Sequence, residues 1–306
     1  MIELNFQILI KKTQIVTHLM PPELGDYNTM VDMLKNVSTR SSEKDYISLY
    51  ATLNLSSKLF DWDKSLVTKD TYINFFNEIK AKCGWAQELI FEVIEDDSIL
   101  GTTSQKHKAI KGDYDQFIFL DGDMVFHKDT LRYVLDTSYQ VDGMYFITPQ
   151  IVRLWDDSWD ILVHKDYKHI PCVKNGYYRE HKPELTINQE IKNLNVSLAP
   201  YFKFGAGWFT LYSKQVLDLI GIPKFLGHYG PEDTFLMYGS QLAVRKKFDI
   251  KQYIIEGLLV SENKIYRNEF MKEGLVYKDL KDNFREQAWA KFDDGLKELN
   301  IKLDGY

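Results

Sequence analysis

Apolar and polar positions along this chain switch repeatedly between the period of a strand and the period of a helix. Strand-like runs fall at Thr13–Leu19, Tyr46–Leu55, Glu88–Ile94, Gln116–Leu120 and Met144–Thr148. Between them, Glu23–Val37 carries Leu24, Tyr27, Met30, Val31 and Leu34 at helical spacing, and Lys69–Lys82 carries Tyr72, Phe75, Phe76 and Ile79. Gly84 stands where a helix C-cap is expected, and Thr103–Lys111 predicts a further short helix. The first ten residues also read as part of a strand. Phe117-Ile118-Phe119-Leu120 is apolar throughout, the mark of a strand covered on both faces. Strands alternating with helices predict an α/β fold: a doubly wound, mostly parallel sheet with helices on both faces.

Periodicity is lost from Arg153 to Pro200, which reads as a long irregular insertion on the substrate side. Trp155 and Trp159 lie in it, spaced for one side of a helical turn and suited either to stacking on a sugar or base or to core packing. A final amphipathic helix is expected over Asp282–Leu299, with Phe284, Trp289, Phe292 and Leu296 on one face. There is no internal repeat and no linker-like tract. The expected organisation is one domain over residues 1–265, with a helical extension over 266–306 packed on it.

Composition supports a substantial core: 44% of the 306 residues are hydrophobic and 14% aromatic. The net charge of −6 argues against a general phosphate-backbone binder but allows a local basic groove. Cys83 and Cys172 are the two cysteines, without C-x-x-C spacing, so neither a zinc site nor a disulfide framework is indicated. The longest apolar runs fall well short of the roughly 20 residues of a membrane span. A reducing, cytoplasmic setting is the expectation.

The chemistry concentrates in three places. Asp121-Gly122-Asp123 follows the apolar strand directly, where open α/β sheets bind ligands. Gly122 permits a sharp turn, after which Asp121 and Asp123 can share a hard divalent cation with diphosphate oxygens and water. Taken alone an Asp-Gly-Asp surface turn would read the same; the apolar strand ahead of it favours the ion. Second is Phe204-Gly205-Ala206-Gly207-Trp208-Phe209, where Gly205 and Gly207 would let backbone approach a ligand, or mark a bulge with Trp208 in the core. Third is Gly227-His228-Tyr229-Gly230-Pro231-Glu232-Asp233, an acidic pair in a first helical turn, where a carboxylate can act as general base or simply complement the helix dipole.

Together these segments resemble the GT-A glycosyltransferases, in particular inverting family 2-like members, over about residues 13–265. The resemblance implies a single Rossmann-like domain and transfer of a sugar from a nucleotide-diphosphate donor, a UDP-sugar above all, to an acceptor hydroxyl. It implies Mn²⁺ or Mg²⁺ on Asp121 and Asp123, Asp233 as the base, and Glu232 orienting the acceptor. It places the nucleotide over the end of the first strand, at Thr17 and His18, and the donor beside Gly122, Gly205, Gly207 and Trp208. Lys106, His107 and Lys108 stand on the helix before the aspartates; Lys108 is the expected diphosphate contact, and a solvated helix face is the alternative. Many relatives supply a late histidine as a metal ligand. Here Leu258-Leu259-Val260-Ser261-Glu262-Asn263 has none, and Glu262 is the oxygen ligand available in its place, with Asn263 next.

Two other classes fit parts of the pattern. A HAD-like phosphohydrolase also carries an aspartate pair after an apolar strand, but here Met124-Val125-Phe126 continues where its turn would be. A non-catalytic carbohydrate-binding protein would not need acidic pairs at two separate places. The acceptor is expected to be a glycan or polysaccharide, or, if the chain is of bacteriophage or viral origin, a modified DNA base. The last would call for a basic stripe, with Arg245-Lys246-Lys247, Lys106, Lys108 and Lys111 as its candidates.

Overall fold

The computed structural model describes residues 11–37, 45–95, 101–152, 161–168, 182–199, 207–263, 274–276, 278 and 281–306. The expected strand over residues 1–10, Trp155, Trp159 and Gly205 lie outside them. Among the described residues nine strands form one sheet: β1 (Lys12–Leu19), β2 (Tyr46–Asn54), β3 (Glu88–Ile94), β4 (Gln116–Leu120), β5 (Met124–Phe126), β6 (Met144–Ile151), β7 (Asn195–Leu198), β8 (Phe209–Ser213) and β9 (Ile250–Glu262). Their order is β3-β2-β1-β4-β8-β6-β9-β5, with β7 also on β9.

The sheet is mostly parallel. Strands β3, β2, β1 and β4 run together; β8 is antiparallel to β4 and β6, and β6 runs parallel to β9. Helices cover both faces because residues within each central strand alternate between two cores. Ile15, Leu49, Ile118 and Leu211 pack with α1 (Leu24–Leu34), α2 (Lys69–Lys82) and α4 (Thr130–Tyr139). Val16, Phe117, Phe119 and Tyr212 face α3 (Thr102–Ala109), α6 (Lys214–Ile220) and α7 (Glu232–Arg245). The α/β fold with a largely parallel sheet is therefore as the apolar pattern predicts.

Helix α2 ends at its C-cap Cys83, and Gly84 follows at C′ as the sequence places it, without the left-handed conformation common there. Two expectations need correction. The insertion is not irregular throughout: it contains α5 (Pro183–Ile187) and β7, which extends the sheet through antiparallel pairing with β9. The C-terminal helix is two helices, α8 (Lys281–Trp289) and α9 (Phe292–Asp304). The break lets Ala288 meet the loop before α7 while Phe292 packs on Phe235 within α7, and it leaves Trp289 46% exposed.

Candidate functional site

Backbone pairing assembles the site at the C-terminal edge of the central strands. Beyond β4, the Asp121 N–H donates to the Trp208 carbonyl at 3.0 Å, which fixes the segment before β8 beside the aspartates. Gly122 lies directly over the end of β1: a Cβ there would stand 2.3 Å from Leu19 Cδ2 and 3.7 Å from Thr17 Cγ2. A side chain at this position would have to displace the tip of Leu19, so the glycine lets the turn lie close over the end of β1. Met124 pairs with Glu262, and the Asn263 N–H donates to the Asp123 carbonyl at 2.5 Å. Thus Asp121, Asp123, Glu262 and Asn263, separated by about half the chain, share one edge.

The electrostatics of that edge are unusual. Asp121 has its pKa raised to about 7, first by desolvation and then by Glu232, Glu23 and Glu262, although Lys106 opposes the shift. Glu23 is placed by the Pro21–Glu23 turn after β1, where its Oε2 accepts from the Met20 N–H at 2.8 Å. Carboxylates crowded to this degree favour a cation among them. The donor set is all hard oxygen, which fits Mg²⁺ or Mn²⁺. Among the described residues no three His, Cys, Asp or Glu side chains are grouped so that they could hold a metal ion by themselves. An ion here would accordingly be shared with substrate oxygens and water, the usual arrangement for Mg²⁺ at a phosphate.

The acidic pair opens α7. Glu232 is buried, its Oε1 paired with Lys106 Nζ at 2.6 Å and its Oε2 accepting from Thr103 Oγ1 at 2.9 Å. Thr103 Oγ1 in turn accepts from the Gly230 N–H at 2.8 Å. With both oxygens engaged inside the protein, Glu232 holds α3 to α7 and positions its neighbour; it does not face outward as an acceptor contact would. Asp233 is partly exposed and its Oδ1 accepts from the Thr234 N–H at 2.6 Å. Its Oδ2 points towards Gly207, where a Cβ would lie 3.0 Å away. Desolvation, then the nearby Glu232, raises the Asp233 pKa to about 6, against the pull of Lys106.

Lys106 is not part of a solvated helix face. It is 3% exposed, stacks 5.2 Å from the Phe119 ring centroid, and joins the two acidic centres. Burial works against its charge, but Glu232, Asp121 and Asp233 outweigh it and leave the ammonium favoured. The signal lay in the helical period: Lys106 shares a face with Thr103 and Ile110, not with the solvated residues. Lys108 instead reaches Glu92 on β3 at 2.8 Å and lies over Tyr50, away from the aspartates.

Of the expected nucleotide contacts, Thr17 and His18 both sit at the end of β1 and are buried. His18 Nδ1 bonds Thr52 Oγ1 at 2.8 Å, while its Nε2 and Thr17 Oγ1 have no partner among the described residues. Desolvation, then Lys106, lowers the His18 pKa to about 3, so the ring is neutral. A DNA acceptor would call for a basic stripe beside the site. Lys106 and Lys246 are ion-paired with Glu232 and Asp304, and Arg245-Lys246-Lys247 lies at the far end of α7, about 20 Å from Asp233 at helical rise.

No protein-family model matches the chain, and no curated protein matches it. Solved structures of similar overall shape include a mannosyltransferase from Pyrobaculum calidifontis in complex with GDP-Man and Mn²⁺, at 10% identity and TM-score 0.46, over 96% of this chain and 73% of that one. S. aureus TarS 1–349 is similar at 12% identity and TM-score 0.43, over 80% and 60% of the two chains. Mannosyl-3-phosphoglycerate synthase from Rubrobacter xylanophilus follows at 12% identity and TM-score 0.40, over 86% and 70%. All three scores lie below 0.5, so the chemistry has to be read from the side chains of this protein.

Proposed function

We propose that this protein is a metal-dependent glycosyltransferase of the GT-A type, which moves a sugar from a nucleoside-diphosphate donor to an acceptor hydroxyl with inversion. The observation that carries the reading is the pairing of two acidic centres across one buried lysine. Asp121-Gly122-Asp123 stands at the edge of β4, Asp233 stands at the start of α7, and Lys106 interacts with both.

Asp121 and Asp123 would hold the Mn²⁺ or Mg²⁺ together with substrate oxygens and water, with the Glu262 charge beside them, and the ion when bound neutralises charge on the departing diphosphate. Thr17 and His18 offer their unpartnered Oγ1 and Nε2 to the nucleoside end of the donor. Gly207 keeps the space beside Asp233 clear of side chain. Asp233 Oδ2 takes the proton from the acceptor hydroxyl as that oxygen bonds to the sugar C1 and the C1–O bond to the diphosphate breaks. The nucleoside diphosphate leaves with the bond electrons. Glu232 and Lys106 act on this step through Asp233, by holding α7 against α3.

The test is release of nucleoside diphosphate from a panel of UDP- and GDP-sugars, with Mn²⁺ and with the metal chelated. Metal-dependent release with one donor, absent in Asp121→Asn and strongly reduced in Asp233→Asn, supports the reading. Release unaffected by either substitution contradicts it, and a transferred sugar of retained anomeric configuration contradicts the role of Asp233.

A further inference from the structure

Helices α7 and α9 run parallel and side by side. The Phe292 ring lies edge-on to Phe235 at 5.6 Å, a Cβ on Gly239 would stand 2.9 Å from Leu299 Cδ2, and Lys246 pairs with Asp304. Their outer faces leave a groove of about 720 Å³ between them. Tyr238, Leu242 and Arg245 stand on its α7 wall at the spacing of one helix face, and Asp293, Leu296 and Ile301 stand on its α9 wall. Tyr238 is 45% and Ile301 70% exposed, and the exposed Trp289 lies against Phe292 beside the Tyr238 end, at 4.7 Å between ring centroids. Exposed apolar side chains gathered along a groove mark an interaction surface.

We propose that this groove is the interface of a two-fold symmetric dimer, its occupant the same groove of a second copy of this chain. The charges supply the reason. Asp293 is in the first turn of α9 and Arg245 in the last turn of α7, so they stand at opposite ends of the groove, about 13 Å apart along its axis at helical rise. Both are exposed, and among the described residues neither has an ion-pair partner in its own chain. The neighbouring cations Lys246 and Lys297 are paired with Asp304 and Asp294.

A two-fold axis sets each residue against whatever lies equally far beyond it. With the axis crossing the groove midway between its charged ends, Arg245 meets the partner's Asp293, and the same pair forms again on the other side. The apolar residues fall into the same order. Ile301, one turn before Asp304, meets the partner's Tyr238, and Leu296 meets the partner's Leu242. The result is an antiparallel pairing of two helix pairs with apolar contacts at its centre and ion pairs at both ends. Other occupants suit the groove less. A segment of one charge sign would meet a like charge at one end, and Asp293, Asp294 and Glu298 on the exposed side of α9 disfavour an anionic membrane. None of this depends on the glycosyltransferase reading.

Sedimentation velocity of the full chain over a concentration series tests the dimer, with a thermal melt of each variant as the check on folding. The wild type should show a monomer–dimer equilibrium, and Ile301→Glu should be a folded monomer. Arg245→Asp and Asp293→Arg should each raise the dimer Kd by about tenfold or more, because each places two like-charge pairs across the axis. Both charges also suit the helix ends they occupy, so the double reversal is the discriminating variant. Pairing across the axis restores dimerisation in it, whereas a purely local role makes the two losses add. Losses that add, or a dimer untouched by Ile301→Glu, overturn the proposal. So does a wild type that stays monomeric at every concentration, and its co-sedimentation with phosphatidylserine vesicles would give the face to a membrane instead.

Discussion

Gly207 and Asp233 are in contact across the site: the position a Cβ would take on Gly207 is 3.0 Å from Asp233 Oδ2 and 3.4 Å from its Cγ. The two residues arrive from different elements, one leading into β8 and the other opening α7. The backbone of Gly207 is outside the left-handed region, so an alanine there is acceptable in conformation and costly only in space. Gly207→Ala should therefore act on the carboxylate and not on the fold. We expect kcat to fall by about tenfold or more, as misplaced catalytic groups commonly cause, with nucleotide binding and unfolding midpoint nearly unchanged. Steady-state kinetics together with a thermal melt checks this.

Lys106 and Glu232 are a buried pair, and removal of one partner strands the other. Lys106→Met should destabilise the protein by about 3–5 kcal/mol. Replacing both by Met should cost much less than the sum of the single changes, since the stranded charge is gone. Urea unfolding of the two single variants and the double variant measures the coupling.

The Asp233 pKa, raised from 3.8 to about 6, links activity and stability to pH. The folded protein holds this proton more tightly than the unfolded chain. Its contribution is thus complete below about pH 4 and is lost as pH rises through about 6. Asp233→Asn should be more stable than wild type at pH 8 by on the order of 1–2 kcal/mol, after allowance for partial exposure, and equal to it near pH 4. Turnover follows the opposite sense: a base must be ionised, so kcat/KM should rise with pH through about 6 in the wild type. Melting curves and pH–rate profiles of the two proteins check both signs.

How much of this was legible in the sequence depends on the range of the interaction. Phe117–Leu120 announced a central strand because burial on both faces leaves no polar position, and the aspartates at its end followed from that. The acidic pair was equally visible, as a first helical turn after Pro231. What could not be read locally was which charge meets which. Lys106 between Gln105 and His107 looks like a solvated face, and only the fold shows that its helix turns it towards Glu232. The division of labour within the acidic pair is likewise tertiary: Thr103 and Lys106 engage Glu232 and leave Asp233 to the site. Strand β7 has only four residues, three of them exposed, so it carries no apolar alternation to find. The break between α8 and α9 leaves the helical pattern intact on both sides and is imposed by two different partners, the loop before α7 and α7 itself.

The central claim is that Asp121-Gly122-Asp123 binds a nucleoside diphosphate through a divalent ion, and calorimetric titration of UDP and of GDP into the wild type and Asp123→Ala, each with and without Mn²⁺, tests it most directly. The account predicts binding of one nucleotide that requires Mn²⁺ and is lost in Asp123→Ala while the variant melts as a folded protein. Binding that is independent of Mn²⁺ and unchanged in the variant, or no binding of either nucleotide, would contradict it.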